Sequence, residues 1–260
     1  IPEIQQAREF TKGKPPTFEI ATLERQVLRE QIRTEFPGFV AQKLGIPKVE
    51  RNREAYIILG LPGSGKSTNL AERVAKDIRA LPIEQDIVKS RLPEYADGLG
   101  AGLVHQEASE IAHNVLADAV KRGDNIVWQT VGKNVSDIRD QLALLKANRY
   151  KAHLQFMDVA PETAAQRVVN RFVNEKPAHF VDPNVVLDVG LTSRQNYGML
   201  KTEKGWSSYG SYTNEGVARG SPPRILEESP GGYFGRRTLG QRGELRPALR
   251  TARIHRTARA

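Results

Sequence analysis

Residues 56–70 read YIILGLPGSGKSTNL, and no other stretch limits the fold so tightly. Gly60-Leu61-Pro62-Gly63-Ser64-Gly65-Lys66-Ser67 meets the pattern G-x-x-x-x-G-K-[ST] at every required position. Such a loop works when a strand delivers the chain to a glycine-rich turn and a helix carries it away. The turn aims successive backbone N–H groups inward, and the helix N-terminus adds partial positive charge, so phosphate oxygens find a cradle. Lys66 then reaches the β- and γ-phosphates of a nucleoside triphosphate, and the Ser67 hydroxyl ligates Mg²⁺. Gly60, Pro62, Gly63, Ser64, Gly65, Lys66, Ser67 and Thr68 are the expected nucleotide-binding set. A glycine-rich turn with a stray lysine is the bland alternative. The apolar run AYIILG before the loop and the helical pattern after it argue against that alternative.

Strand and helix patterns alternate along the chain. The expected strands are 55–60, LPIEQD ending at Asp86, NIVWQT and KAHLQFMDV, with WSSYGSY as a last strand or a loop. The expected helices run from Thr22 to Phe36, stopped by Pro37 and Gly38, then from about Lys66 to Ala80. Further helices cover VHQEASEIAHNVLADAVKRG, NVSDIRDQLALLKANRY, PETAAQRVVNRFVNEK and DPNVVLDVGLTSRQNYGML. Helix-length crossovers between strands predict an α/β fold, a P-loop NTPase/kinase-like three-layer sandwich with a mainly parallel sheet. The expected organisation is an N-terminal helical extension over 1–50, irregular in its first 17 residues, then a P-loop kinase domain over 51–215. A poorly ordered Arg/Gly/Pro-rich basic tail over 216–260 is expected to follow.

No run of 18 apolar residues is present, so a membrane span is not expected, and the polar opening IPEIQQAREFTKGKPP has no apolar signal core. The chain has no cysteine, which excludes disulfides, thiolate metal sites and a cysteine nucleophile and fits a reducing, cytoplasmic setting. Net charge is +9, yet residues 219–260, with ten Arg, no Lys and three Glu, carry +7 of it. The basic character belongs to the tail, so a nucleic-acid partner for the body is not expected. The five histidines show no metal-ligand spacing.

Transfer of a phosphoryl group needs more than a cradle. It needs a carboxylate to orient or deprotonate the acceptor, and cations around the moving group. Asp86 is the strongest carboxylate, placed at the expected carboxyl end of a strand, where ligands bind in open α/β sheets. Glu84, two residues earlier and so on the same strand face, is the weaker one. Arg167 and Arg171 are four apart on an expected helix and can close together over phosphates; a solvated basic face is the plainer reading. His105 and Glu107 open the long helix after the glycine-rich stretch and can contact an acceptor, although a glutamate there also suits the helix dipole. Asp158 invites a reading as the metal-linked acid; capping the helix at Pro161 suits it better.

Four segments, GLPGSGKST, DIVKSRLPEY, VHQEASEIAHNVLADAVKRGDNIVWQT and AAQRVVNRF, give a resemblance to the zeta-toxin family of P-loop kinases over roughly residues 25–200. The second segment is similar to the family's Asp, Lys, Pro and aromatic stretch, here Asp86, Lys89, Pro93 and Tyr95. The resemblance implies a toxin that uses ATP and Mg²⁺ to phosphorylate a hydroxyl of a nucleotide-linked small molecule. UDP-N-acetylglucosamine is the leading acceptor, and NAD is the alternative, as in a relative among plant-pathogen effectors delivered into host cells. It also implies Asp86 as the proton acceptor, Lys66 and Ser67 on ATP–Mg²⁺, Arg167 and Arg171 as lid cations, and an antitoxin as partner. Lys89, His105, Glu107, Gln129 and Thr130 are the expected acceptor contacts. One departure stands out: where the family carries Glu-Gly-Thr after the third strand, this chain has WQTVGK, with Gln129 in the place of the acid. An amide is neither an anionic ligand nor a base. Thr130 and Lys133 are the candidates to substitute for it.

Two further functions compete. The arginine tail motivates a polynucleotide end kinase, but only Tyr233 and Phe234 offer stacking platforms there. Gln129 motivates a nucleotide-binding interaction protein without catalysis.

Overall fold

The structure, a computed structural model, describes residues 2–175, 180–218 and 221–235. The helices in chain order are α1 (Pro2–Thr11), α2 (Leu23–Leu44), α3 (Glu72–Asp77), α4 (Gln85–Lys89), α5 (His105–Arg122), α6 (Val135–Ala147), α7 (Pro161–Asn174) and α8 (Pro183–Leu200). The strands are β1 (Glu54–Gly60), β2 (Leu81–Ile83), β3 (Ile126–Thr130), β4 (Lys151–Met157), β5 (Trp206–Thr213) and β6 (Arg224–Glu228). They form one sheet in the order β2-β3-β1-β4-β5-β6, parallel through β5, with β6 antiparallel at the edge.

Side chains alternate across the sheet, so each central strand feeds two cores. Ile57 and Leu59 of β1 join Trp128, Leu154 and Phe156 in a layer under α2, α5 and α6. Tyr56 and Ile58 join Val127 and Met157 on the opposite face, under α3 and α7. This is the expected three-layer α/β sandwich. No helix among the described residues is long and apolar enough to cross a membrane.

Several elements differ from expectation. The opening residues form α1 instead of an irregular lead. Helix α2 continues through Pro37 to Leu44. A proline inside a helix removes a hydrogen bond and costs roughly 3 kcal/mol. Here Ile32, Phe36 and Val40 are buried on either side of Pro37, in the same core as β1. Their burial, at about 1.5–3 kcal/mol per side chain, outweighs the break. Thr22 caps the start by accepting from the Arg25 N–H, and Gly45 ends the helix in the left-handed region. Strand β2 is only three residues long, so the strand expected to end at Asp86 stops at Ile83. The tail expected from residue 216 instead supplies β6, and Tyr233 packs in the sheet's second core. Residues 236–260, which hold most of the tail's arginines, lie outside the described residues.

Glu107 corrects a sequence expectation. Its side chain is fully buried and faces α2 and not an acceptor site. Arg25 meets it through Nε at 2.7 Å and Nη2 at 2.6 Å, Arg29 adds a bond from Nε at 2.7 Å, and the Thr17 hydroxyl donates to the same carboxylate. Arg25 also grips Glu94 through two nitrogens, at 2.9 and 3.0 Å. Burial alone would raise the Glu107 pKa, but the bonds from Arg25, Thr17 and Arg29 outweigh it and hold the carboxyl below its usual value. The cluster staples residues 17–29 onto the start of α5.

Because a lone buried charge is costly, Glu107→Ala should lower stability by about 3–5 kcal/mol, read as a fall in the urea midpoint. The depressed carboxyl sets the direction in pH. Its contribution is complete above the ordinary glutamate pKa and is lost as pH falls through the lowered value, so wild type and Glu107→Ala should converge in acid.

Candidate active site

The parallel register brings the chemistry to one edge. Leu59 is level with Thr130, and Gly60 with Met157, so the loop leaves β1 between the ends of β3 and β4. Ile83 is level with Trp128, which sets Glu84 beside Gln129. Gly63 has φ +80°, and a Cβ there would lie 2.4 Å from the Ala164 carbonyl oxygen of α7. Gly65 has φ +79°, and its Cβ would lie 2.4 Å from Asn214 Nδ2. Both glycines are required by backbone shape and by contact. The helix after the loop opens as a π-helical turn over Ser67–Ala71 before continuing as α3.

Lys66 is half-buried, with Nζ 3.4 Å from the Leu61 carbonyl oxygen. Burial lowers its pKa, while the carboxylates of Glu84 and Asp86 act to raise it. Ser67 Oγ lies 2.7 Å from Glu84 Oε1 and 2.9 Å from Gln129 Oε1. Burial and the neighbouring charge of Asp86 raise Glu84 above the usual carboxylate range. Glu84 and Asp86 do not share a strand face. Glu84 occupies the N-cap position of α4 in extended backbone, without a side-chain capping bond, and Asp86 lies in the first turn.

Asp86 accepts from Lys89 Nζ at 2.9 Å, and its side chain is 36% exposed. Desolvation and the charge of Asp86 push Tyr95 up to about 12, so its hydroxyl stays protonated. The same region lowers His105 through ring desolvation and the cation of Lys89. Arg171 is close enough to oppose protonation of Lys66 and to offset the rise at Tyr95. Asp86, Lys89, Tyr95, His105 and Arg171 thus gather with the loop lysine in one electrostatic neighbourhood. Arg167 donates to Asn214 Oδ1 at 2.7 Å and points toward the Gly63 carbonyl at 3.5 Å.

Among the remaining expected residues, Gln129 is buried beside Ser67, whereas Thr130 accepts from the Gly132 N–H at 3.4 Å. Thr68 and Lys133 are exposed. Asp158 pairs with Arg194 of α8 at 2.6 Å and does not cap α7. Asn214 was not legible as a site residue. It donates to the Ser64 carbonyl oxygen at 2.7 Å while holding Arg167. A polar residue just past β5, at the carboxyl edge, was the signal for it.

The oxygen donors suit magnesium. Ser67, the half-buried Glu84 carboxyl and the Gln129 amide carbonyl lie together beside the phosphate cradle, and Mg²⁺ favours hard oxygens shared with substrate phosphates. Among the described residues no group of three or more acidic, cysteine or histidine side chains could hold a metal alone.

A glycine-rich phosphate loop at the edge of a parallel sheet, with a carboxylate and arginines nearby, defines the class of P-loop kinases. The zeta-toxin family model matches residues 41–207, and the chain belongs to that family. Solved structures agree in fold. A chain of the PezAT chromosomal toxin–antitoxin system of Streptococcus pneumoniae superposes with a TM-score of 0.58 at 15% identity, covering 81% of this chain and 94% of that one. The AvrRxo1-ORF1:-ORF2 structure with ATP gives a TM-score of 0.60 at 16% identity, covering 80% of this chain and 68% of that one. A search of curated proteins returns no match.

Asn214 ties the loop backbone to Arg167, so Asn214→Ala should loosen both. The expected result is roughly a tenfold weaker ATP affinity by calorimetry, the scale of one or two hydrogen bonds to charged or buried partners, with the melting temperature changed little.

Proposed function

We propose that this protein is an ATP-dependent kinase that moves the γ-phosphoryl group onto a hydroxyl of a nucleotide-linked small molecule. The observation that carries the reading is the exposed Asp86 carboxylate, gathered with Lys66, Lys89, Tyr95 and Arg171 at the loop edge. In the reaction the acceptor hydroxyl oxygen forms a bond to the γ-phosphorus as the bond from that phosphorus to the β–γ bridging oxygen breaks. The hydroxyl proton passes to Asp86, and ADP leaves. Lys66 and the loop N–H groups stabilise charge on the β- and γ-phosphates. Arg171, and Arg167 swung from Asn214, close over the transferring group. The protonated Tyr95 hydroxyl and Lys89 orient the acceptor. Magnesium bound with ATP would be held by Ser67 and neighbouring oxygens, and it neutralises phosphate charge.

Family membership favours UDP-N-acetylglucosamine as acceptor and a toxin role. NAD is kept as the second acceptor by the resemblance to NAD-phosphorylating effector relatives, and a structure similar in fold holds ATP. Both structural neighbours carry two-component descriptions, a toxin–antitoxin system and an ORF1:ORF2 pair, which support an antitoxin partner for this chain.

Mixing the protein with ATP, Mg²⁺ and each acceptor, followed by mass spectrometry, tests the reading. One phosphate group should be gained by UDP-N-acetylglucosamine; a gain on NAD alone reassigns the acceptor, and no gain on any hydroxyl compound removes the kinase reading. Asp86→Asn should cut turnover by about 10²–10⁴-fold, the usual share of a positioned base, while ATP still binds.

A further inference from the structure

Gln129 stands where the family resemblance places an acid, yet the site is not short of one. Ser67 Oγ, Glu84 Oε1 and Gln129 Oε1 converge, with Ser67 at 2.7 Å and 2.9 Å from the other two. A hydroxyl carries one proton and can donate it to only one of these two oxygens, the nearer being Glu84 Oε1. The Ser67–Gln129 contact is then oxygen against oxygen with no proton between. Turning the amide over would not relieve it. Gln129 Nε2 already faces Glu84 Oε2 at 3.3 Å, and rotation would set the amide oxygen against that carboxylate. Crowded hard oxygens around a loop hydroxyl, one of them from a half-buried carboxyl group, match the needs of a divalent cation.

We propose that Glu84 supplies the anionic oxygen of the magnesium site, and that Gln129 positions Glu84 through its amide N–H. This rests on the phosphotransfer reading above. Asp86, in the first turn of α4, is instead paired with Lys89. The two carboxylates divide the work: Glu84 faces the metal and Asp86 faces the acceptor. The register of β2 on β3 makes the exchange possible, since Glu84 follows the residue level with Trp128 and so reaches the space beside Gln129.

The experiment is calorimetric titration of ATP, with Mg²⁺ and with EDTA, into wild type, Glu84→Gln and the swap Glu84→Gln/Gln129→Glu. Wild type should bind ATP more tightly with Mg²⁺. Glu84→Gln should lose at least tenfold of that metal-dependent gain, while its affinity in EDTA is kept or improved, because a negative charge near the phosphates is gone. The swap should recover most of the gain. A Glu84→Gln protein that keeps the whole gain overturns the proposal. Should Glu84→Gln not fold, judged by melting, the swap decides: recovery of the gain supports the proposal, and a folded swap without it overturns it. Absence of ATP binding by wild type under both conditions strikes the phosphotransfer reading itself, a result distinct from either.

Discussion

The arrangement depends on placing unlike charges where water is scarce. Lys66 sits half-buried at the end of β1, in the field of two carboxylates and of Arg171. Burial lowers the Lys66 pKa, and the carboxylates of Glu84 and Asp86 act against that fall. Each carboxylate is answered in turn, Glu84 by Ser67 and the lysine field, and Asp86 by Lys89. A triphosphate entering the cradle would bring negative charge, and in the proposed reading an accompanying metal ion would balance it beside these carboxylates.

The wall that faces Asp86 needs its own support. Residues 93–98 turn tightly, with Ala96 at φ 45° and Asp97 at φ 51°, a conformation that L-residues adopt at a cost of about 1–3 kcal/mol. The N-terminal segment sustains it. Arg25 clamps Glu94 and Glu107 together, and the Thr17 N–H bonds to the Leu103 carbonyl oxygen. On the other side the Phe180 N–H reaches the Gly98 carbonyl. Residues expected to form an appended helix are thus part of what shapes the acceptor side.

Much of this was legible from residues alone. The phosphate loop carries its meaning locally, because glycine spacing, lysine and serine each serve a backbone-level task. The alternation of β1, β3 and β4 with long amphipathic helices was equally plain. What failed was tertiary. Glu107 looks like a helix-start carboxylate, and only the packing of α2 reveals two arginines against it. Pro37 looks like a stop, and only the burial of Phe36 and Val40 carries α2 past it. Strand β6 hides in a stretch rich in Pro, Arg and Glu, because its partner β5 supplies the reason to be extended. Asn214 acts on a loop distant in sequence from its own position, and only its place just past β5 points to it.

Glu84 and Asp86 show how a small error of element boundary conceals a division of labour. On a strand, residues two apart point to one side, and the pair would have crowded a single ligand. The strand ends at Ile83, so the chain has turned into α4 before Asp86 is reached. The Glu84 carboxylate lies against Ser67 and the Asp86 carboxylate pairs with Lys89. An acid is therefore defined by the place it reaches and not by the strand that carries it. Replacement of an acid by Gln129 on β3 is compatible with chemistry because the neighbouring strand ends one residue before the same point in space.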